Sequence, residues 1–164
     1  MAAPTTTPAI RLLRPSDHAT FRALAAPHAH QPGAAHHSPS PVPYGERWRE
    51  LSAATFDAYV ATGCSYIAEV DGQLAGYLLA QPISFSEGKP LTIWVDDLAV
   101  HPDHHGPSIG AALYHALGTR ARGEGVKAIL TRLDTNSEAA LTLHQRIGFE
   151  PHGTGAIVWR LESE

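Results

Sequence analysis

The sequence predicts an α/β (α+β) fold, a mixed sheet flanked by helices. Three observations carry that expectation. Strand and helix patterns follow one another as β-α-α-β-β-β-α-β-α-β-β, an Asp71-Gly72 dipeptide separates two strand-like runs, and after Pro102 the apolar period changes from two to about 3.6. A hairpin that feeds a strand-helix-strand unit requires antiparallel and parallel pairs in one sheet. A length of 164 residues with 43% hydrophobic content suits a single domain spanning 1–164.

Residues 1–8, mostly Thr, Ala and Pro, read as a frayed terminus. Ile10–Arg14 reads as a short strand. Ser16 is placed to cap a helix that carries Phe21, Leu24 and Ala25 on one face and ends near Pro27. Residues 28–44 are almost wholly Pro, His, Ser, Ala and Gly, which cannot pack a core and read as a mobile loop. Helical spacing returns over Glu46–Thr62, with Trp48, Leu51, Phe56, Tyr59 and Val60 available for burial and Gly63 as a stop. Ser65–Val70 and Gln73–Ala80 form a hairpin, because Asp-Gly supplies the positive φ angles of a tight turn. A strand over Leu91–His101 leads through a turn into a helix that starts near Ser108 and carries Ile109, Leu113, Ala116 and Leu117. Val126–Leu133 is a further strand. Thr135-Asn136-Ser137-Glu138 has capping-box spacing for a helix with Ala140, Leu143 and Ile147, ended by Gly148. Phe149 leads into a strand-like segment, and Ala156–Leu161 is the last strand.

Charge and composition narrow the function. A formal charge of -4 offers no basic field for a polyanion, so nucleic acid is not an expected partner, whereas an amine substrate is compatible. No apolar run of about 18 residues and no signal-like start are present, so no membrane partner and a cytoplasmic location are expected. The lone Cys64 excludes an internal disulfide and reads as a small buried hydrophobe. Trp94 and Trp159 read as packing first and substrate walls second. The eleven histidines invite a metal hypothesis, His101, His104 and His105 above all. No HExxH, cysteine pair or fixed carboxylate accompanies them, so no metal is expected.

The chemistry concentrates where the strand ending at His101 turns into a helix. A helix start presents unpaired amides and the positive end of the helix dipole, and so binds phosphate. Here the turn is His104-His105-Gly106-Pro107-Ser108-Ile109-Gly110, with small residues that let a ligand approach the backbone and a serine hydroxyl as a further donor.

At this point the chain resembles the GNAT superfamily of acetyl-CoA-dependent N-acetyltransferases, over roughly its last two thirds. Asp97-Leu98-Ala99-Val100-His101-Pro102 looks like the family's fourth strand. The resemblance implies a mostly antiparallel central sheet whose fourth and fifth strands splay to form the acetyl-CoA site, with the backbone of Leu98, Ala99 and Val100 on the pantetheine arm. The family's pyrophosphate loop is filled by His105, Gly106, Pro107, Ser108, Ile109 and Gly110. His105 replaces the usual Gln or Arg, Ser108 replaces the first pattern glycine, and Pro107 has no amide hydrogen. A second signature is matched by Asn136 through Ala140, Leu143-His144 and Gly148-Phe149, with Ser137 at the usual Asn position, Asn136 one place early, and His144 where the family has tyrosine. Asn136 and Ser137 are the cofactor-side candidates here.

Acetyl transfer needs a neutral amine, a polarised thioester carbonyl and a proton for the departing thiolate. The resemblance implies direct attack on acetyl-CoA by a primary amine of a small molecule or peptide. Asp96 is the candidate base and Asp97 an amine-binding or structural residue; Asp96-Asp97 resembles the acidic pair of diamine acetyltransferases. Strict alternation puts the two on opposite strand faces unless a bulge intervenes, with Asp96 sharing a face with Leu98 and Val100. Either could instead pair with an arginine or cap a loop. His144 is the candidate acid, since a histidinium near neutrality can protonate a thiolate; its alternative is a partly exposed helix histidine. With Glu46 and Glu50 the aspartates could make an acidic entrance for a cation. A non-catalytic acyl-CoA-binding module is the competing function, and a homodimer through sheet edges or helices is an expectation.

Overall fold

The computed structural model describes residues 7–25, 51–101, 103–104, 107–132, 138–153 and 155–161. The expected loop over 28–44, Trp48, Glu46, Glu50 and all but the last two residues of the 1–8 terminus lie outside these described residues.

Within them the element order is the expected one: β1 (Ala9–Leu12), α1 (Asp17–Ala25), α2 (Ala53–Thr62), β2 (Tyr66–Val70), β3 (Gln73–Ser86), β4 (Lys89–Val100), α3 (Pro107–Gly123), β5 (Ala128–Arg132), α4 (Glu138–Ile147), β6 (Glu150–His152) and β7 (Ala156–Arg160). The strands form one sheet in the order β1-β2-β3-β4-β5-β7-β6. Every neighbouring pair is antiparallel except β4 with β5, which the α3 crossover makes parallel. The fold class read from the sequence is therefore the fold observed.

Two apolar clusters sandwich the sheet. On one face Phe21 of α1 and Phe56 of α2 pack with Ile67, Leu74, Tyr77, Leu79 and Ala99. On the other, Leu113, Tyr114 and Leu117 of α3 and Leu143 of α4 pack with Leu78, Val95, Leu98 and Ile129. Alternation along the strands sorts the side chains between the faces. At the sheet's far edge Arg11 joins β1 to α1 and β2, its guanidinium 2.8 Å from Asp17 and 2.7 Å from Glu69.

The turn between β2 and β3 is as expected, with Asp71 at φ 52° and Gly72 at φ 76°. Three expectations need correction. The helix expected over Glu46–Thr62 begins at Ala53, because Ser52 is extended (φ -64°, ψ 154°) and its side chain accepts the Thr55 amide as an N-cap. β3 continues past Ala80 to Ser86 and returns through a second tight turn, Glu87 at φ 52° and Gly88 at φ 75°, whose arm carries the exposed Ile83 and Phe85. Glu-Gly is a weaker turn signal than Asp-Gly, and Pro82 argues against a strand on sequence grounds. Third, β4 carries a bulge: Leu79 faces Asp97 while Ala80 faces Val95, so Asp96 is the extra residue. The bulge reverses the strand's parity. Val95 and Leu98 therefore lie in the α3/α4 cluster although three residues apart, and Asp96 does not share the Leu98 face.

Among the described residues no helix is long and apolar enough to cross a membrane. Cys64 is buried, and burial pushes its thiol pKa up.

Helix α3 approaches β7 through Gly118. A Cβ there would collide with Cη2 of Trp159, whose ring also lies 5.0 Å below the Arg122 guanidinium and packs against Phe149. Trp159 is thus a packing residue, as its spacing suggested. We expect Gly118→Ala to destabilise the fold by about 1–3 kcal/mol through overpacking, read as a lower urea midpoint at unchanged slope.

Candidate active site

β4 pairs with β5 over Thr92–Val95 only, the last rung being Val95 opposite Thr131. β4 then runs on to Val100, while β5 ends one residue later at Arg132. The two strands part here. The Thr131 hydroxyl closes the last rung by donating to the Val95 carbonyl at 2.9 Å. Beyond the fork lie Leu98, Ala99 and Val100, the first two buried by their side chains in opposite clusters, so that only their backbone can face a ligand.

Past the end of β4, the His101 amide donates to the Ala75 carbonyl at 2.7 Å, and His101 Nδ1 accepts the Asp103 amide at 3.2 Å. Helix α3 then begins at Pro107, the first helical position, where a missing amide hydrogen costs no intrahelical bond. The proline that departs from the loop pattern is thereby accommodated. The first-turn amides of Ser108 and Ile109 have no acceptor within the helix, and Ser108 is exposed. The Ile109 side chain is buried, and at Gly110 a Cβ would meet Leu143 Cδ2 at 2.9 Å, so Gly110 allows close packing of α3 on α4. His105, Gly106, Asn136 and Ser137, also singled out from the sequence, lie outside the described residues.

The bulge brings both aspartates to tyrosines of the α1/α2 face. Asp96 Oδ2 accepts from the Tyr59 hydroxyl of α2 at 3.0 Å and from Gln81 Nε2 at 2.9 Å. Asp97 Oδ2 accepts from the Tyr77 hydroxyl at 2.9 Å. Asp96 is half-buried and Asp97 is buried, so a substrate meets the first more readily than the second.

On the opposite face His144 is 2% exposed rather than partly solvated. Its Nδ1 lies 2.7 Å from the Ala140 carbonyl, which can only accept, so Nδ1 carries a proton. Its Nε2 lies 2.9 Å from the Tyr114 hydroxyl. Burial pushes the His144 pKa below its ordinary value, against the Ala140 bond, which raises it. In the resulting neutral ring Nε2 accepts and the phenol donates. Burial, with the charge of Asp97 adding, holds the Tyr114 phenol well above the usual range, against a hydrogen bond with Thr131. Phe149 closes the group, its ring centroid 5.1 Å from that of His144 and 5.2 Å from that of Tyr114.

Tyr59, Tyr77, Gln81, Tyr114 and Thr131 escaped the sequence reading. Each sits at an ordinary strand or helix position, and no spacing distinguishes a phenol aimed at a carboxylate from one buried as core. Among the described residues, no three His, Cys, Asp or Glu side chains converge as metal ligands.

A seven-stranded mixed sheet that parts at its one parallel pair, before a helix N-terminus, defines the class of protein. The model of the Acetyltransferase (GNAT) family matches residues 33–149, and the chain belongs to that family. It is 30% identical over 102 residues to the L-methionine sulfoximine/L-methionine sulfone acetyltransferase of Pseudomonas paraeruginosa (61% of this chain, 59% of that protein). Over 97 residues it is 30% identical to the L-amino acid N-acyltransferase MnaT of Escherichia coli (58% of this chain, 56% of that protein). The chain thus spans little more than half the length of these curated relatives. Among solved structures it resembles a GNAT family acetyltransferase from Brucella melitensis in complex with acetyl-CoA, with a TM-score of 0.64 and 24% identity, covering 97% of this chain and 91% of that one.

The His144 geometry has a consequence for stability. The unfolded chain binds a proton at this site near the ordinary value of 6.5, and the folded chain binds it only at lower pH. The site's contribution is therefore complete above that value and is lost as pH falls below it toward the folded value. We expect the thermal midpoint to drop between about pH 7 and pH 5, and to drop less in His144→Gln, measured by circular dichroism across that range.

Proposed function

We propose that this chain is an N-acetyltransferase that transfers an acetyl group from acetyl-CoA to a primary amine of a small molecule or peptide, by direct attack in a ternary complex. The observation that carries this reading is the fork beyond Val95 and Thr131, with a helix N-terminus past the end of β4 and two carboxylates on its bulge. The names of the two curated relatives support an amino-acid-like acceptor among such amines.

The residues present fit the cofactor. Ser108 and Ile109 offer first-turn amides with no acceptor within the helix, at the positive end of α3, for a pyrophosphate; His105 and Gly106 precede them in the sequence. Pro107 opens the helix without blocking these donors. The backbone of Leu98, Ala99 and Val100 offers an edge for an extended pantetheine arm; Asn136 and Ser137 are cofactor-side candidates on the sequence alone. Acetyl-CoA supplies the thioester that the amine attacks.

Asp96 takes a proton from the incoming ammonium, directly or through water. The two hydrogen bonds on its Oδ2 orient it at the mouth of the site. Asp97, buried on Tyr77, keeps the bulge in register and adds negative potential toward a cationic acceptor. The backbone near Leu98 and Val100 polarises the carbonyl, and His144 is the proton source for the departing sulfur.

A non-catalytic acyl-CoA-binding module is the second reading. The engagement of both ring nitrogens of His144 favours it, because a neutral imidazole so held has no proton directed at a ligand. Titration calorimetry with acetyl-CoA, followed by thiol release against a panel of amines and amino acids, separates the two. Binding with thiol release is expected; binding without release across the panel supports the module, and absence of binding overturns both. Asp96→Asn is expected to lower kcat by about 10²–10³-fold with acetyl-CoA affinity unchanged, whereas Asp97→Asn should lower thermal stability more than kcat.

A further inference from the structure

Tyr114 is the buried phenol that the proposed reaction leaves without a part. It stands on α3, 1% exposed, and its hydroxyl meets His144 Nε2 from α4 at 2.9 Å. Thr131, whose side chain closes the last rung of the fork on the Val95 carbonyl, stands near enough to influence the same phenol. A line of hydrogen-bonding groups therefore runs from the Ala140 carbonyl through His144 to Tyr114, beside the point where β4 and β5 part.

A phenol is suited to this place because it both donates and accepts. With His144 neutral, Nδ1–H is given to Ala140 and Tyr114 donates to Nε2. With His144 charged, Nε2–H needs an acceptor. Tyr114 becomes one by turning its own hydrogen away from the ring. The Tyr114–His144 hydrogen bond is thus kept in both states, whereas an apolar residue at 114 would strand the charged ring. Among the described residues, the groups around His144 include Tyr114 from α3, the Phe149 ring beyond α4 and, near Tyr114, Thr131 of β5 and the Asp97 carboxylate of β4.

We propose that Tyr114 is a positioning residue that acts through His144, holding its tautomer and accepting from its protonated form, so that the pair stores one proton beside the fork. The inference rests on the acetyltransferase reading for its use but not for its geometry. In the transfer, Nε2 gives up its hydrogen bond to Tyr114 and the stored proton passes to the thiolate sulfur as the carbon-sulfur bond breaks. The histidine is neutral afterwards and regains a proton from solvent. The amine's own protons go to Asp96 and then to water, so protons balance over a turnover.

The test follows the His144 ring directly, by nitrogen-15 and carbon-13 NMR titration of the ligand-free full chain. In the wild type the ring is expected to be the Nδ1–H tautomer. In Tyr114→Phe its titration should move down by about one pH unit, since the charged form loses more than the neutral one. Should that variant fail to fold, uniform 3-fluorotyrosine labelling of the wild-type chain, which makes each phenol a better donor and poorer acceptor, should move it in the same direction. A titration unchanged or raised in the folded sample, or an Nε2–H tautomer in the wild type, overturns the proposal. With a responsive amine, the alkaline limb of the kcat profile should move to lower pH in Tyr114→Phe, with kcat at neutral pH reduced roughly tenfold. A purely structural tyrosine would lower stability and leave that limb in place. If the NMR shift is found and no amine is acetylated, the dyad stands and the function reading fails; activity with an unmoved titration gives the converse.

Discussion

β4 and β5 can pair only as far as Val95 and Thr131, and most of what distinguishes this molecule is arranged around that limit. β4 enters the pair from an antiparallel partnership with β3 along almost its whole length. At Asp96 it takes up one extra residue, and a bulge of this kind bends and twists a strand. The bulge coincides with the point where β5 is lost as a partner. Bend and parting therefore occur together, and a sheet that would otherwise be continuous acquires a mouth with carboxylates on one side and a threonine hydroxyl at its base.

The two faces of the sheet serve this mouth differently. The α1/α2 face supplies phenols to anions: Tyr59 reaches Asp96 and Tyr77 reaches Asp97. A hydroxyl so placed orients the carboxylate that accepts from it. The α3/α4 face is drier. There His144, Tyr114 and Phe149 form a compact aromatic group in which burial pushes the His144 pKa down. Close approach of the helices makes that group possible, since the missing side chains at Gly110 and Gly118 let α3 settle against Leu143 and Trp159.

Much of this was legible in the chain. Helix and strand patterns declare themselves through period, and Asp71-Gly72, Gly63 and Gly148 mark turns and stops because few other residues tolerate the left-handed backbone those positions adopt. The strand-turn-helix around Pro102–Gly110 was readable for the same reason, and with it the family. Asp96, Asp97 and His144 were found as residue types at telling positions. Their surroundings were not: alternation assigned Asp96 to the Leu98 face, and helix position suggested a partly exposed His144, where the chain has a bulge and a buried ring.

The division has a physical cause. Turn chemistry, apolar period and the spacing of small residues act over a few neighbouring residues, so the sequence by itself determined the element order, the mixed sheet and the place where β4 gives way to α3. Register shifts, the partners of a buried hydroxyl and the protonation of a histidine depend on groups far apart in the chain, such as Tyr59 with Asp96 and Tyr114 with His144. Those distances are fixed only when both faces of the sheet are packed. It is therefore the tertiary structure alone that decided which carboxylate is half-buried beside the fork and which atoms of Tyr114 and His144 meet.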